Sequence, residues 1–523
     1  MANSVPHPGR SALEALALAA AFAVAHTQGP LLYSNQNQYL LHGAALADYG
    51  HLAHDWLATT RDPTPVFSLL VAAAYRVEPG LLQVAYFALL MGYFLAARSL
   101  VGAVPSFPDT RAARIGFAAL FTAAHAAVLR WASVELFGVD YPWYFQAGLA
   151  AQYLLGPGIQ PSAFGVLLLV AAAAFAHGRT APACALAALT CWFHSTYLLP
   201  AALLVLGFVL EALRQHRVRT ALAGAAVALV VVAPVVAFTG WRFDAFGSDA
   251  ARAAHILARV RIPHHCLPER WFDAVAGLQL AWIALGLYFV RRFPFGRALA
   301  VAAVGGAVLT VVEFATQSDG LALLFPWRIS VLLVPVATAA ISARLLSLAR
   351  PGNWLAWCGA GVLVALVVGG VVVTADGLGY RMADERELTD YVRAAARADD
   401  VYLLPVTFPA VGSGRGSVSN TFSKPGTSQI PVDLQRFRLL TGARTYVDFK
   451  SVPYAPAEVL EWEGRMERAS AWAADDTWAD PGRRDQLMRE GITHVVRPRA
   501  RPLALSYLVE EHRDPGYVVY RLK

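Results

Sequence analysis

NWLAWCGAGVLVALVVGGVVVT, residues 353–374, runs for twenty-two positions without a charged side chain and ends two residues before Asp376. A helix rises about 1.5 Å per residue, so this stretch covers the roughly 30 Å hydrocarbon core of a bilayer. No polar face is left for water. Beyond Asp376 the character changes, and the remaining residues read as a separate, water-soluble unit.

Moving toward the N-terminus, apolar runs of spanning or near-spanning length recur near 11–26, 79–98, 114–130, 162–177, 218–239, 273–291, 297–315 and 321–346. Residues 181–213 are too long for one crossing and read as two short helices that break around His194-Ser195-Thr196 and Pro200. Together these predict about eleven spans. Val66 to Arg76 is read as an interfacial helix, since another crossing would place the cluster Arg98, Arg111 and Arg114 outside. With that choice Arg179, Arg214, Arg217, Arg219, Arg291, Arg292, Arg297, Arg344 and Arg350 all fall on the cytoplasmic side. The N-terminus is then cytoplasmic and the C-terminus extracytoplasmic. The first run ends in Ala23-Val24-Ala25, like a signal-peptidase site, but is read as an uncleaved first helix.

Composition agrees with a bilayer as solvent: 57% of the 523 residues are hydrophobic, 15% are charged, and mean hydropathy is +0.46. The net charge of +7 is topological; the arginines punctuate apolar runs and do not form a nucleic-acid-binding face. Lysine occurs only at 424, 450 and 523, so arginine and alanine dominate as in proteins from GC-rich bacterial genomes. Cys184, Cys191 and Cys358 lie in apolar runs and only Cys266 in a polar loop, so no disulfide framework is drawn.

The chain thus divides into a transmembrane domain, 1–375, with a long first outer loop at 27–63, and an extracytoplasmic α/β domain, 376–523. In the latter, helical patterns at 385–397, 457–473 and 483–489 alternate with strand patterns at 401–406, 444–449, 492–496 and 517–522. Gly412-Ser413-Gly414-Arg415-Gly416 is read as a loop and not a phosphate cradle, because no helix opens behind it.

Polar side chains beside apolar spans are costly, and here they gather at the outer ends: Glu135, Asp140, Gln160, His194, Glu313, Gln317, Asp319 and Arg328. The first loop adds Asp48, His51, His54 and Asp55, on what reads as two surface helices separated by Gly50. His51, His54 and Asp55 stand at i, i+3 and i+4, which on a helix is one face and a possible divalent-metal site; solvated side chains are the plainer alternative. His264-His265-Cys266 is a weaker metal pattern. Arg328 follows Pro326 and Trp327 at a span entrance, where it needs an anionic or carbonyl partner. A lipid phosphate, an ion pair with Glu313 or Asp319, and snorkelling are its three options.

A long first outer loop with surface acids, about eleven spans, polar outer span ends and a terminal outer α/β domain together resemble membrane glycosyltransferases of the GT-C class. Asn35 to Gly43, Asp55 to Ser68, Trp192 to Pro200, Pro326 to Pro335, and Phe437 to Pro453 with Glu458 to Arg465 look like an uncharacterised bacterial branch of such proteins. The resemblance implies a multi-pass protein of the bacterial inner membrane that moves a sugar from a polyprenyl-phosphate donor to an extracytoplasmic acceptor. It implies an acidic base in the first outer loop, Asp55 first and Asp48 second, with His54, His194, Glu313, Gln317, Asp319 and Arg328 at the substrate. The Asp-x-Asp or Asp-Glu pair of several such families is absent. A transporter or flippase of lipid-linked sugars and a non-catalytic scaffold for a periplasmic partner remain alternatives. Sugar, acceptor and oligomeric state are not legible.

Overall fold

The computed structural model describes residues 8–32, 34–104, 107–243, 249–349, 352–376, 383–406, 434–474 and 477–523. The glycine-rich segment at 412–416 lies outside them. Helices dominate the chain up to residue 375. Among the described residues six are long and apolar enough to cross a bilayer: Leu81–Gly102, Ser195–Arg214, Val218–Phe243, Pro294–Thr316, Asp319–Ala349 and Asn353–Ala375. The bent pair Arg111–Ala123 and Ala127–Phe137 makes a seventh if counted as one span. Shorter apolar helices, Ala12–His26, Pro161–Ala176, Thr180–Phe193 and Ala274–Val290, occupy the other predicted crossings, and Pro65–Val77 forms the helix read as interfacial.

Helix Ser330–Ala349 is buried on nearly every side and stands at the centre of the bundle. Small residues let its neighbours close in: helix Leu198–Arg214 touches Pro294–Thr316 where Gly207 meets the backbone of Ala298, with no room for a Cβ. Two sets of buried charges in the bundle are paired, as an apolar surround favours. Arg130 donates to Asp140 at 2.6 and 2.9 Å, and Glu211 accepts from Arg214 at 2.8 Å and Arg297 at 2.6 Å.

The break at His194 is as expected: helix Thr180–Phe193 ends there, and a 3-10 turn Ser195–Tyr197 leads into Leu198–Arg214. Pro200 does not break the chain. It occupies the first turn of that helix, where its missing N–H has no intrahelical partner to lose.

The C-terminal domain carries a five-stranded sheet in the order β2-β1-β3-β5-β4, from β1 (Val401–Leu403), β2 (Arg444–Thr445), β3 (His494–Pro498), β4 (Leu508–Arg513) and β5 (Tyr517–Leu522). The first three are parallel, whereas β5 is antiparallel to β3 and to β4. Strand β4 is absent from the sequence expectation because Glu510, Glu511, His512 and Arg513 break its alternation. It is an edge strand with a bulge, where charge is tolerated and discourages further pairing. Helices Ala383–Ala395 and Pro456–Ala474 pack on the sheet through Leu388, Val392, Val459, Trp462 and Met466.

The first loop does not form the two surface helices expected. It folds as the short helices Gln36–Tyr39 and Leu41–Leu46 and a 3-10 turn Leu52–His54, after which Asp55 is extended. Gly50, at φ +58°, lies directly on Gly442, and a Cβ added to either would strike the other's backbone. The loop is therefore an inner layer, pressed between the helix ends and the C-terminal domain.

Candidate functional site

Where these three parts meet, the structure encloses a cavity of about 350 Å³. Its walls are the first loop (Asn35, Gln38, Tyr39, Pro63, Thr64), the segment Ala151 to Ser162, the break at His194 to Thr196, the end of helix Val218–Phe243, residues 257–265, residues 323–328, and Lys450, Val452 and Tyr454 of the C-terminal domain. Phe243, Leu257, Ile262, Leu323 and Phe325 give it an apolar side.

Its charge is one-sided. Arg261, Arg328 and Lys450 line it, and among the described residues no carboxylate does. Each cation comes from a different part of the fold. Arg261 ends a π-helical turn, Ile256–Arg261, a rare geometry that recurs at functional sites. Its guanidinium donates to the carbonyl of Lys450 at 2.5 Å and lies over Phe449. Arg328 is buried in the turn Pro326–Ile329, 5.0 Å from the ring centre of Tyr197. It has no ion-pair partner among the described residues. The pairs with Glu313 and Asp319 are not made: Asp319 is held by Arg259 at 2.7 Å, and Glu313 is buried outside the cavity wall. Burial, with Arg261 beside it, pushes the Lys450 ammonium down to about 7, against the pull of Asp448.

The wall also carries buried polar atoms with no hydrogen-bond partner: Nε2 and Oε1 of Gln152, Oγ1 of Thr196, Nδ1 of His194, and Nε of Arg261 and of Arg328. Each such atom in an apolar surround costs about 1–3 kcal/mol. Their convergence on one cavity marks a surface that a polar ligand would satisfy.

Of the residues singled out from sequence, the structure brings Gln160, His194, His264, His265 and Arg328 to this cavity. Asp48 and His54 are exposed on the first loop, and Gln317 is exposed beyond helix Pro294–Thr316. His51 donates from Nε2 to the carbonyl of Ala396 at 3.1 Å. Because the loop is a 3-10 turn followed by extended chain, His51, His54 and Asp55 do not share a helical face; among the described residues no group of three ligating side chains has metal-site geometry.

Asp55 is placed on the other side of the loop from the expected direction. Its carboxylate accepts from Arg438 Nε, from the Thr445 N–H and from the Leu57 N–H, each at 2.9 Å. Arg438 reaches on to Asp448, whose Oδ1 accepts from the Ser451 N–H at 2.6 Å. This buried chain fixes the stretch 448–451 and so sets Lys450 into the cavity. Arg261, Gln152 and Lys450 were not singled out from sequence, and His265 was named only within a weak metal pattern. The signals available were the His264-His265 pair and a lysine kept in an arginine-rich chain.

A family model described as a domain of unknown function (DUF6798) matches residues 426–469, which include Arg438, Asp448 and Lys450. No curated protein matches the sequence. Among solved structures, the chain is similar to ArnT from Cupriavidus metallidurans, crystallised with undecaprenyl phosphate, at 14% identity over 98% of both chains and a TM-score of 0.46. At that score the likeness is one of outline.

Proposed function

We propose that this protein is a GT-C-like transferase of the bacterial inner membrane that takes a sugar from a polyprenyl-phosphate donor and passes it to an extracytoplasmic acceptor. In this reading the chain crosses the membrane about eleven times, and the C-terminal domain stands outside. The single observation that carries it is the cavity lined by Arg261, Arg328 and Lys450 and, among the described residues, by no carboxylate.

A polyprenyl-phosphate sugar has an apolar tail, an anionic phosphate and a polyhydroxyl head. The cavity offers an apolar side, three cations and a set of unpartnered amide, hydroxyl and imidazole groups. When the bond between the anomeric carbon and the phosphate oxygen breaks, negative charge gathers on the phosphate. Preorganised cations in a low-dielectric site stabilise that charge at the moment it forms. Arg328 presents a planar fork that matches two phosphate oxygens, while Lys450 acts as a compact charge. Gln152, Thr196 and His194 suit sugar hydroxyls. Asp55 serves the joint with the C-terminal domain and not the proton transfer.

Purified full-length protein in nanodiscs, given a panel of undecaprenyl-phosphate hexoses, tests the reading. Release of free undecaprenyl phosphate with at least one donor is expected, and is lost in Arg328→Gln. Absence of release with every donor and acceptor offered would contradict it.

A further inference from the structure

The transfer proposed above requires a group to take the acceptor's proton, and among the described residues no carboxylate lines the cavity. One ring is placed for the task. His265 Nδ1 lies 2.6 Å from the carbonyl oxygen of Ala150. A carbonyl only accepts, so the proton sits on Nδ1 and the free lone pair on Nε2. The ring lines the cavity, and Nε2 has no hydrogen-bond partner among the described residues.

The carbonyl that orients this ring is itself held in a strained conformation. Ala150 and Ala151 are consecutive non-glycine residues at φ +57° and +53°, a region L-residues rarely enter and one that clusters at functional sites. Gln279 holds the turn by donating to the carbonyls of Ala147 at 2.8 Å and Gly148 at 3.3 Å, and the Leu149 N–H donates to Ser330 Oγ at 2.8 Å. The same turn delivers Gln152, whose amide is unpartnered, to the cavity wall.

We infer that His265 is the proton acceptor of the transfer, acting through Nε2. This rests on the lipid-phosphate reading of the cavity. The acceptor oxygen forms its bond to the anomeric carbon, and the bond from that carbon to the phosphate oxygen breaks with its electron pair leaving on phosphate. The acceptor's proton passes to Nε2, giving an imidazolium that returns the proton to the leaving phosphate or to water. Four groups face the ring: His264, with ring centres 4.1 Å apart, and Arg261, Arg328 and Lys450. Burial, followed by those three cations and opposed by the bond to Ala150, brings the free imidazole down to about 4. Its neutral form is thus secure before substrate arrives. A bound phosphate neutralises the cations and raises the basicity of Nε2, so the base strengthens only when the donor is present.

The test uses the full chain in nanodiscs, with undecaprenyl phosphate as binding probe and undecaprenyl-phosphate hexoses as donors. His265→Asn is expected to bind the probe within about threefold of wild type and to lose turnover by at least about 100-fold. His265→Ala is expected to regain turnover on addition of imidazole, which leaves wild type unchanged. Turnover of His265→Asn within about fivefold of wild type would overturn the inference. So would His265→Ala that binds the probe but is not rescued, and so would loss of probe binding in both variants, which would make the ring structural. Failure of wild type itself to bind the probe would instead remove the lipid-phosphate reading.

Discussion

Asp55 and Arg438, 383 positions apart in sequence, meet at 2.9 Å with both side chains almost wholly buried, and they join the first loop to the C-terminal domain. Arg438 is shared with Asp448. The three charges form one unit, so their loss is unequal. Arg438→Met strands two buried carboxylates and is expected to destabilise the protein by about 3–5 kcal/mol, whereas Asp55→Asn leaves the Arg438–Asp448 pair and costs about 1–3 kcal/mol. Thermal unfolding of the detergent-solubilised variants checks the ranking. An Asp55→Asn protein as stable as wild type but devoid of turnover would return Asp55 to the chemistry.

Arg328→Lys keeps a positive charge but loses the fork. Undecaprenyl phosphate affinity is expected to fall about tenfold, equivalent to about 1.4 kcal/mol. Scintillation proximity binding measures it. Unchanged affinity in a well-folded variant would remove Arg328 from the phosphate site.

Lys450 supplies a pH dependence with a defined sign. Burial and Arg261 bring its ammonium down to about 7, and an anion favours the charged form, so the value with phosphate bound is higher. Below pH 7 the lysine is protonated in both states and contributes no slope. Above it, binding must take up a proton, and affinity is expected to fall by up to about tenfold per pH unit between 7 and 9. The second ionisation of the phosphate, near 6, acts in the opposite direction and is over by then. Lys450→Arg should flatten the profile. A wild-type affinity that rises steadily to pH 9 would refute the assignment.

Topology is open to a direct check. The arginine distribution predicts that phosphatase fused after Lys523 is active and that a fluorescent protein fused there is dark. The reverse pattern would place the cavity on the cytoplasmic side and exclude an extracytoplasmic acceptor.

The helical bundle was legible because a bilayer-spanning run announces itself in composition, and the break at His194 because the apolar stretch was too long for one crossing. The α/β character of the tail was visible in alternating periods, but not β4, whose Glu510 and Glu511 hide an edge strand. Within the site, His194 and Arg328 stood out as polar residues against apolar runs. Asp55 stood out equally, yet its direction depends on Arg438, whose approach no local pattern encodes. Arg261, His265 and Lys450 lie in polar segments where a charge is unremarkable. They acquire meaning only when the π-helical turn, the Ala150–Ala151 turn and the Asp448 network bring them to one cavity.

The measurement that bears most directly on the central claim is equilibrium binding of radiolabelled undecaprenyl phosphate to the full chain in nanodiscs. It would compare wild type with Arg261→Gln, Arg328→Gln, Lys450→Gln and the exposed-residue control Asp48→Asn. Saturable binding by wild type and the control, weakened at least tenfold in each cavity variant, is predicted (about 1.4 kcal/mol or more). Equal binding by wild type and all three cavity variants, or no saturable binding by wild type, would contradict a lipid-phosphate site formed by these three cations.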